Sequence, residues 1–231
     1  RLQPLCREHD LALLAGTLPW PDGTGGHRNR AFLLLPDGRI YHQDKLFLTP
    51  SEQDPAGWQL TPGDTVNVVQ WAGLRIATAV CLDIESPALA GRLARLDLDL
   101  LLVPAKTSLM SGYYRVFSCA RARAVELNTT VAVVGAVGTF LGHPASDPVV
   151  GGATVYIPCE ASLGYTGIAA SLEPMAAASG ASPLLAVADL PLAHCRRIRH
   201  GEAAEAEVCP GAWGVEHLRF LDPAPDRPEV V

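Results

Sequence analysis

Polar and apolar positions along this chain alternate between short apolar runs and one longer helical stripe. Leu2 to His9 reads as the end of a helix, and Leu11-Ala-Leu-Leu-Ala-Gly16 is a short apolar run closing on glycine, the pattern of a buried strand. Trp20 to Gly26 is rich in Gly and Pro and reads as a loop. Arg30 to Leu35 and Arg39 to Tyr41 flank Pro36-Asp37-Gly38, where proline presets φ and glycine supplies φ > 0, so the two segments are expected to form an antiparallel hairpin. Thr65 to Gln70 and Leu74 to Val80 form a second strand pair around Trp71-Ala72-Gly73. Pro87 to Leu96 reads as a short helix, and Asp99 to Val103 as a buried strand closed by Pro104. From Gly112 to Asn128, apolar residues recur at Tyr113, Val116, Phe117, Ala120, Ala124 and Leu127, the spacing of one helix face. Thr130 to Gly135, Gly151 to Pro158 and Leu184 to Asp189 complete the expected strands, and the acidic, Pro-rich end beyond Phe220 reads as a tail.

Strands alternating with helices, with hairpins among them, predict one layered α/β domain over residues 1–221 and a tail at 222–231, built on mixed rather than purely parallel sheets. No GxGxxG or GxxxxGK[ST] follows a strand, which sets aside a doubly wound nucleotide-binding fold. A chain of 231 residues, 48% hydrophobic and 18% charged, can bury a sizeable core. The net charge of -6, without any run of Lys or Arg, leaves no electrostatic footprint for nucleic acid or an anionic membrane. No apolar stretch is long enough to span a bilayer, and the first residues lack a signal-peptide layout. The expectation is a cytoplasmic protein whose partners are small molecules or proteins.

Cys6, Cys81, Cys119, Cys159, Cys195 and Cys209 form no CxxC pair and have no histidine at zinc spacing, so neither a metal site nor a disulfide framework is indicated. Five of these thiols read as packing residues. Cys81 differs, because Leu74 to Val80 runs an apolar strand straight into it and Asp83 follows. A nucleophile at a strand end has a fixed backbone and an exposed tip. Lys45 likewise ends the hairpin, with Glu52 shortly beyond in Thr49-Pro-Ser-Glu52. A lysine ammonium beside a thiol favours the thiolate, and beside a developing oxyanion it stabilises charge.

Each of these residues also has an ordinary reading. Cys81 could be a buried structural thiol, Lys45 a solvated lysine, and Glu52 part of a polar loop or a helix cap. Asp83 either orients the elbow through backbone hydrogen bonds or is a turn aspartate. Lys106, Thr107 and Ser108 follow a strand end and either line a pocket or form a solvated loop. Arg123 and Glu126, three apart on a helix face, suit an ion pair or a dimer contact.

Taken in order, five segments carry a resemblance: Asn29 to Glu52 with Lys45, Ile76 to Pro87 with Cys81, Leu101 to Pro104, Ala122 to Asn128, and Gly151 to Pro158. The chain resembles the carbon-nitrogen hydrolase (nitrilase) superfamily over nearly its whole length, and Val103 to Val116 is similar to a bacterial subgroup with poorly defined substrates. The resemblance implies an αββα four-layer sandwich with two mixed β-sheets, pairing through its helices into a homodimer or higher homo-oligomer. It implies a Glu-Lys-Cys triad. Cys81 would attack an amide or nitrile carbon to form a thioester, Lys45 would stabilise the tetrahedral intermediate, Glu52 would support the lysine, and the Leu82 N–H would help hold the oxyanion. Lys106 and Thr107, from their place after a strand end and not from the resemblance, are the residues expected to contact the substrate. No metal or organic cofactor is implied.

Cys-Leu-Asp resembles amidase branches more than true nitrilases, which usually place Trp and Glu after the cysteine, so a small linear amide is favoured; carbamoyl compounds and acyl transfer stay open. The family's base glutamate lies at the end of an early strand, before the lysine hairpin. Glu8 is the one glutamate upstream of the hairpin, and it sits in a helical segment, so the role is not transferred to it. The chain opens on Arg1, and the expectation is an N-terminally incomplete sequence. The competing expectation is a scaffold or fragment without catalysis.

Overall fold

The structure, a computed structural model, describes residues 1–138, 149–175, 183–203, 213, 214 and 218. The expected tail and Cys209 lie outside the described residues. The chain opens with helix α1 (Gln3–Glu8), followed by strands β1 (Leu13–Pro21), β2 (His27–Leu34) and β3 (Ile40–Asp44). These three pair antiparallel in the order β1-β2-β3. A short helix α2 (Pro50–Gln53) leads to β4 (Val68–Trp71) and β5 (Leu74–Thr78), then a 3-10 turn over Cys81–Glu85 and helix α3 (Pro87–Leu93). Beyond them come β6 (Leu100–Ala105), α4 (Met110–Glu126), β7 (Thr130–Gly135), β8 (Gly151–Tyr156), β9 (Ile168–Met175) and α5 (Leu192–Arg199). Strands β4 to β9 form a six-stranded sheet in chain order. It is mixed: β5, β6 and β7 run parallel, while β4, β8 and β9 are antiparallel to their neighbours.

The alternation of side chains along β5 and β6 decides the layering. Ile76, Leu100 and Leu102 point to the small sheet, where they pack with Leu14, Leu33, Leu35 and Tyr41. Ala77, Leu101 and Val103 point the other way, against Leu89 and Leu93 of α3 and Val116, Phe117 and Ala120 of α4. Both faces of the parallel strands are therefore buried, as parallel sheets require. On the far side, α1 meets the end of β2, where Gln3 Nε2 donates to the Leu35 carbonyl at 2.6 Å and Cys6 is fully buried.

Several elements differ from the sequence expectation. Trp20 and Pro21 are not loop but the end of β1, paired with Arg28 and His27 after a bulge between Leu14 and Thr17. Gly16 sits in that bulge with φ +77, a conformation open to glycine. Pro104 does not close β6 but lies within it, paired with Val134 of β7. The β5–β6 ladder ends at Thr78 and Leu102, so the proline costs no ladder bond on that side. Leu184 to Asp189 forms no strand, and Leu184 is 87% exposed. Among the described residues the last strand is instead β9, whose short and polar side chains gave little strand pattern, and the arginine-rich helix α5 was not expected.

Candidate active site

Strand β5 delivers Cys81 to the carboxyl end of the parallel strands, where α/β sheets usually bind their ligands. Its backbone is left-handed, with φ +53. For a residue with a Cβ this conformation costs on the order of 1–3 kcal/mol and persists only when its surroundings enforce it. The enforcing group is Asp83. Its fully buried carboxylate accepts the Val80 N–H at 2.9 Å, just before the cysteine. It also accepts the N–H groups of Leu46 and Phe47 at 3.0 and 2.8 Å, from the loop that follows Lys45. Three residues further on, Ser86 caps α3 by accepting the Leu89 N–H at 3.2 Å.

Lys45 leaves β3 with its backbone N–H donating to the Asn29 carbonyl at 2.8 Å. Its side chain is buried, and Nζ donates to Glu52 Oε2 at 2.6 Å. Glu52 is fixed in turn. The Thr49 N–H and hydroxyl donate to Oε2 at 2.8 and 3.0 Å, and Asn29 Nδ2 donates to Oε1 at 3.2 Å. The two readings of Glu52 from sequence coexist, because the carboxylate both caps α2 and pairs with the lysine.

The charges of this cluster act on one another. Burial raises the Glu52 carboxyl, but the Lys45 salt bridge and the Thr49 donors overcome it and hold the acid below its ordinary range. Burial pushes the Cys81 thiol up, with Lys45 pulling it down and Glu52 pushing it further up. The thiol donates to the Lys106 carbonyl at 3.5 Å, and the Lys106 and Leu82 backbones pull the thiol down alongside Lys45. The expected pull of lysine on the thiol is present, and burial outweighs it. Burial also pushes the Asp83 carboxyl up to about 6, against its three backbone donors and Lys45.

Of the other residues named from sequence, the Leu82 N–H faces the thiol and lowers its pKa. Lys106 is exposed, and its backbone carbonyl makes the thiol contact. Thr107 is buried, and its hydroxyl donates to the Val150 carbonyl at 2.5 Å, tying the end of β6 to the start of β8. The Thr107 hydroxyl is therefore directed at the protein backbone. Lys45, Glu52, Cys81 and Leu82 come together, with the Lys106 backbone beside them.

The sequence profile of the carbon-nitrogen hydrolase family matches residues 1–200. The chain belongs to this family. Probable hydrolase YhcX of Bacillus subtilis (strain 168) is 32% identical to it over 146 residues, 63% of this chain and 28% of that protein. A mutant of the amidase from Nesterenkonia sp. AN1, with the acetamide moiety of fluoroacetamide added covalently at its active site cysteine, is 26% identical. It has a TM-score of 0.59 and covers 76% of this chain and 62% of that one. Saccharomyces cerevisiae Nit3, a member of branch 10 of the nitrilase superfamily, shares the fold at 20% identity and a TM-score of 0.60, covering 74% of this chain and 59% of that one. The chain thus spans less than a third of YhcX and about three fifths of these two solved relatives.

In this member of the carbon-nitrogen hydrolase family, Glu52 and Asp83 are both engaged by other donors, and Glu8 is exposed at the end of α1. Of the five described cysteines, Cys6 and Cys195 are buried as expected of packing thiols, but Cys159 is exposed. At the opposite end of the parallel strands, Asp97 and Asp99 meet Arg196, Arg199 and His200. That cluster had no local signature, because its partners lie about a hundred residues apart in sequence.

Proposed function

We propose that Cys81, Lys45 and Glu52 are the reacting centre of a hydrolase that cleaves a non-peptide amide of a small linear substrate. The observation that carries the reading is a cysteine held at φ +53 beyond the end of β5, within the field of a buried Lys45 paired with a half-buried Glu52. Cys81 loses its proton to a base and its sulfur bonds to the amide carbon. Lys45 and the Leu82 N–H stabilise the oxyanion. The C–N bond then breaks, the nitrogen leaves as ammonia or an amine with the proton, and water cleaves the thioester to give the acid and restore the thiol. Lys106 contributes its backbone carbonyl beside the thiol. The covalent acetamide adduct on the Nesterenkonia amidase cysteine supports an amide as substrate, as does 31% identity over 97 residues to the (R)-stereoselective amidase of Pseudomonas sp..

The family resemblance places the base on a glutamate that is not assigned to any residue of this chain. Pairing into a homodimer through the helices belongs to the same reading, with the outer face of α4 leaving Tyr114 58% exposed. No described helix is long and apolar enough to cross a membrane.

A second reading, a scaffold without catalysis, is favoured by one observation: both carboxylates beside the thiol are committed to other donors, and burial pushes the thiol up. Release of ammonia or amine from a panel of short aliphatic amides, by the protein and by Cys81→Ala, separates the two. Turnover that disappears with Cys81 supports the hydrolase. Equal turnover in both, or none with any amide, contradicts it.

A further inference from the structure

We infer that Asp83 is a positioning residue that sets the distance between Lys45 and Cys81 by bonding the loop after one to the backbone before the other. The inference rests on the reading of Lys45 and Cys81 given above. The two residues belong to different sheets, Lys45 at the end of β3 and Cys81 beyond β5. The polar bonds of the lysine loop otherwise lead away from the elbow. Lys45 N–H goes to Asn29, the Lys45 carbonyl accepts from Gly63, and the Leu48 carbonyl accepts from Gln53 Nε2. Asp83 alone among the described bonds crosses between the two segments. Oδ1 takes Leu46 N–H and Phe47 N–H at 3.0 and 2.8 Å, while Oδ2 takes Val80 N–H at 2.9 Å and shares Leu46 N–H at 3.2 Å.

A turn aspartate needs only the Val80 bond. The two donors supplied from another sheet, more than thirty residues away, have no part in forming the 3-10 turn. All the hydrogen-bond partners of the carboxylate are donors, so only the ionised acid satisfies them. An asparagine would set its NH2 against one of those N–H groups and release one side of the tie. The charged groups that face Asp83 are Lys45 and, through it, Glu52.

Charge and position predict opposite outcomes for Asp83→Asn. Removing a negative charge near Cys81 favours the thiolate and speeds its alkylation. Releasing the lysine loop weakens the pull of Lys45 and slows it. The experiment is the rate of iodoacetamide alkylation of Cys81 between pH 6 and 9, read by peptide mass spectrometry, for the wild type, Asp83→Asn, Lys45→Met and the double variant. The expected result is slowing of about tenfold at neutral pH in each single variant, corresponding to a rise of one unit in thiol pKa. The double variant should be no slower than Lys45→Met, because both act through one interaction.

Wild-type or faster labelling of folded Asp83→Asn, or fully additive effects, would overturn the inference while leaving the Lys45–Cys81 reading in place. Unchanged labelling of Lys45→Met would overturn both. In case Asp83→Asn does not fold, the wild type supplies a second measurement, the pH titration of backbone amides by NMR. The Leu46, Phe47 and Val80 N–H resonances should move together with one midpoint near pH 6 as the shared carboxylate takes its proton. Leu46 and Phe47 resonances that do not follow Val80 would overturn it.

Discussion

Strands β5 and β6 carry a buried aspartate cluster at each end, and the two clusters treat charge differently. At the amino end, Asp99 is 1% exposed and receives Arg196 through Nε at 2.8 Å and Nη2 at 2.5 Å, Arg199 Nη2 at 2.9 Å and the Arg75 N–H at 2.9 Å. Burial raises this acid, but these donors overcome it and hold Asp99 down at about 2. At the carboxyl end, Asp83 is as little exposed, but its hydrogen bonds come from backbone N–H groups and Lys45 acts on it without a bond, so burial prevails and its carboxyl rises to about 6. Backbone strain is distributed in the same way. The clamp has its positive φ values at Asp97 and Asn128, residue types that visit this region readily, whereas the elbow places Cys81 there. Charge matched by charge fixes α5 to the sheet; incompletely relieved burial and a strained cysteine mark the end where chemistry is expected.

The comparison is tested most severely at Cys81. Cys81→Ala should lower amide turnover on the order of 10⁴-fold or more, while changing folding stability in a urea titration by no more than about 1 kcal/mol. A protein that unfolds with this change would place Cys81 on the structural side of the comparison. Lys45→Met should lower kcat about 10²- to 10³-fold, because an oxyanion donor is lost while the methionine fills the same space.

The clamp should respond in the opposite sense. Arg199→Ala leaves two buried or half-buried aspartates short of a partner, and should cost about 3–5 kcal/mol of stability. The rate of Cys81 alkylation in the molecules that stay folded should be unchanged. A large shift in that rate would show that the two ends are coupled through β5 and β6.

Acidity separates the clusters by sign. Asp99 has a depressed pKa, so its contribution to stability is present above about 3.8 and is lost as pH falls through about 2. Asp83 has a raised pKa. It binds a proton more tightly when folded, so its contribution grows less favourable as pH rises from about 3.8 to about 6, and is constant above. Urea unfolding between pH 4 and 6 should therefore show a downward contribution with pH that is absent in Asp83→Asn. The smallest effect is expected at the edge of the site, where Thr107→Val should cost about 1–2 kcal/mol by leaving the Val150 carbonyl without its buried donor.

Much of this arrangement was legible in the sequence because it is local. The stripe from Tyr113 to Leu127 needed only helical spacing, and Pro36-Asp37-Gly38 fixed the β2–β3 hairpin through its own turn chemistry. Cys81 and Lys45 stood out because each follows a strand directly. What the sequence concealed depends on distant partners. Leu184 to Asp189 has the apolar composition of a strand, yet a strand requires a ladder, and β9 pairs with β8 on the strength of its backbone and the Thr154–Ser171 hydroxyl contact. Glu52 looked ambiguous because its partners come from three places, Asn29, Lys45 and Thr49. The depth of Asp83, the raised Cys81 thiol and the Asp99 clamp are consequences of burial, which no short motif encodes.

Trapping the covalent intermediate decides whether the strained elbow thiol is the reacting group. The protein is mixed with a short aliphatic amide it turns over, quenched in acid within the first turnover, and its mass and peptides are measured. An added acyl mass should be confined to the Cys81 peptide and absent from Cys81→Ala; an acyl group on another residue, or turnover with Cys81 unmodified at every quench time, would rule out Cys81 as the nucleophile.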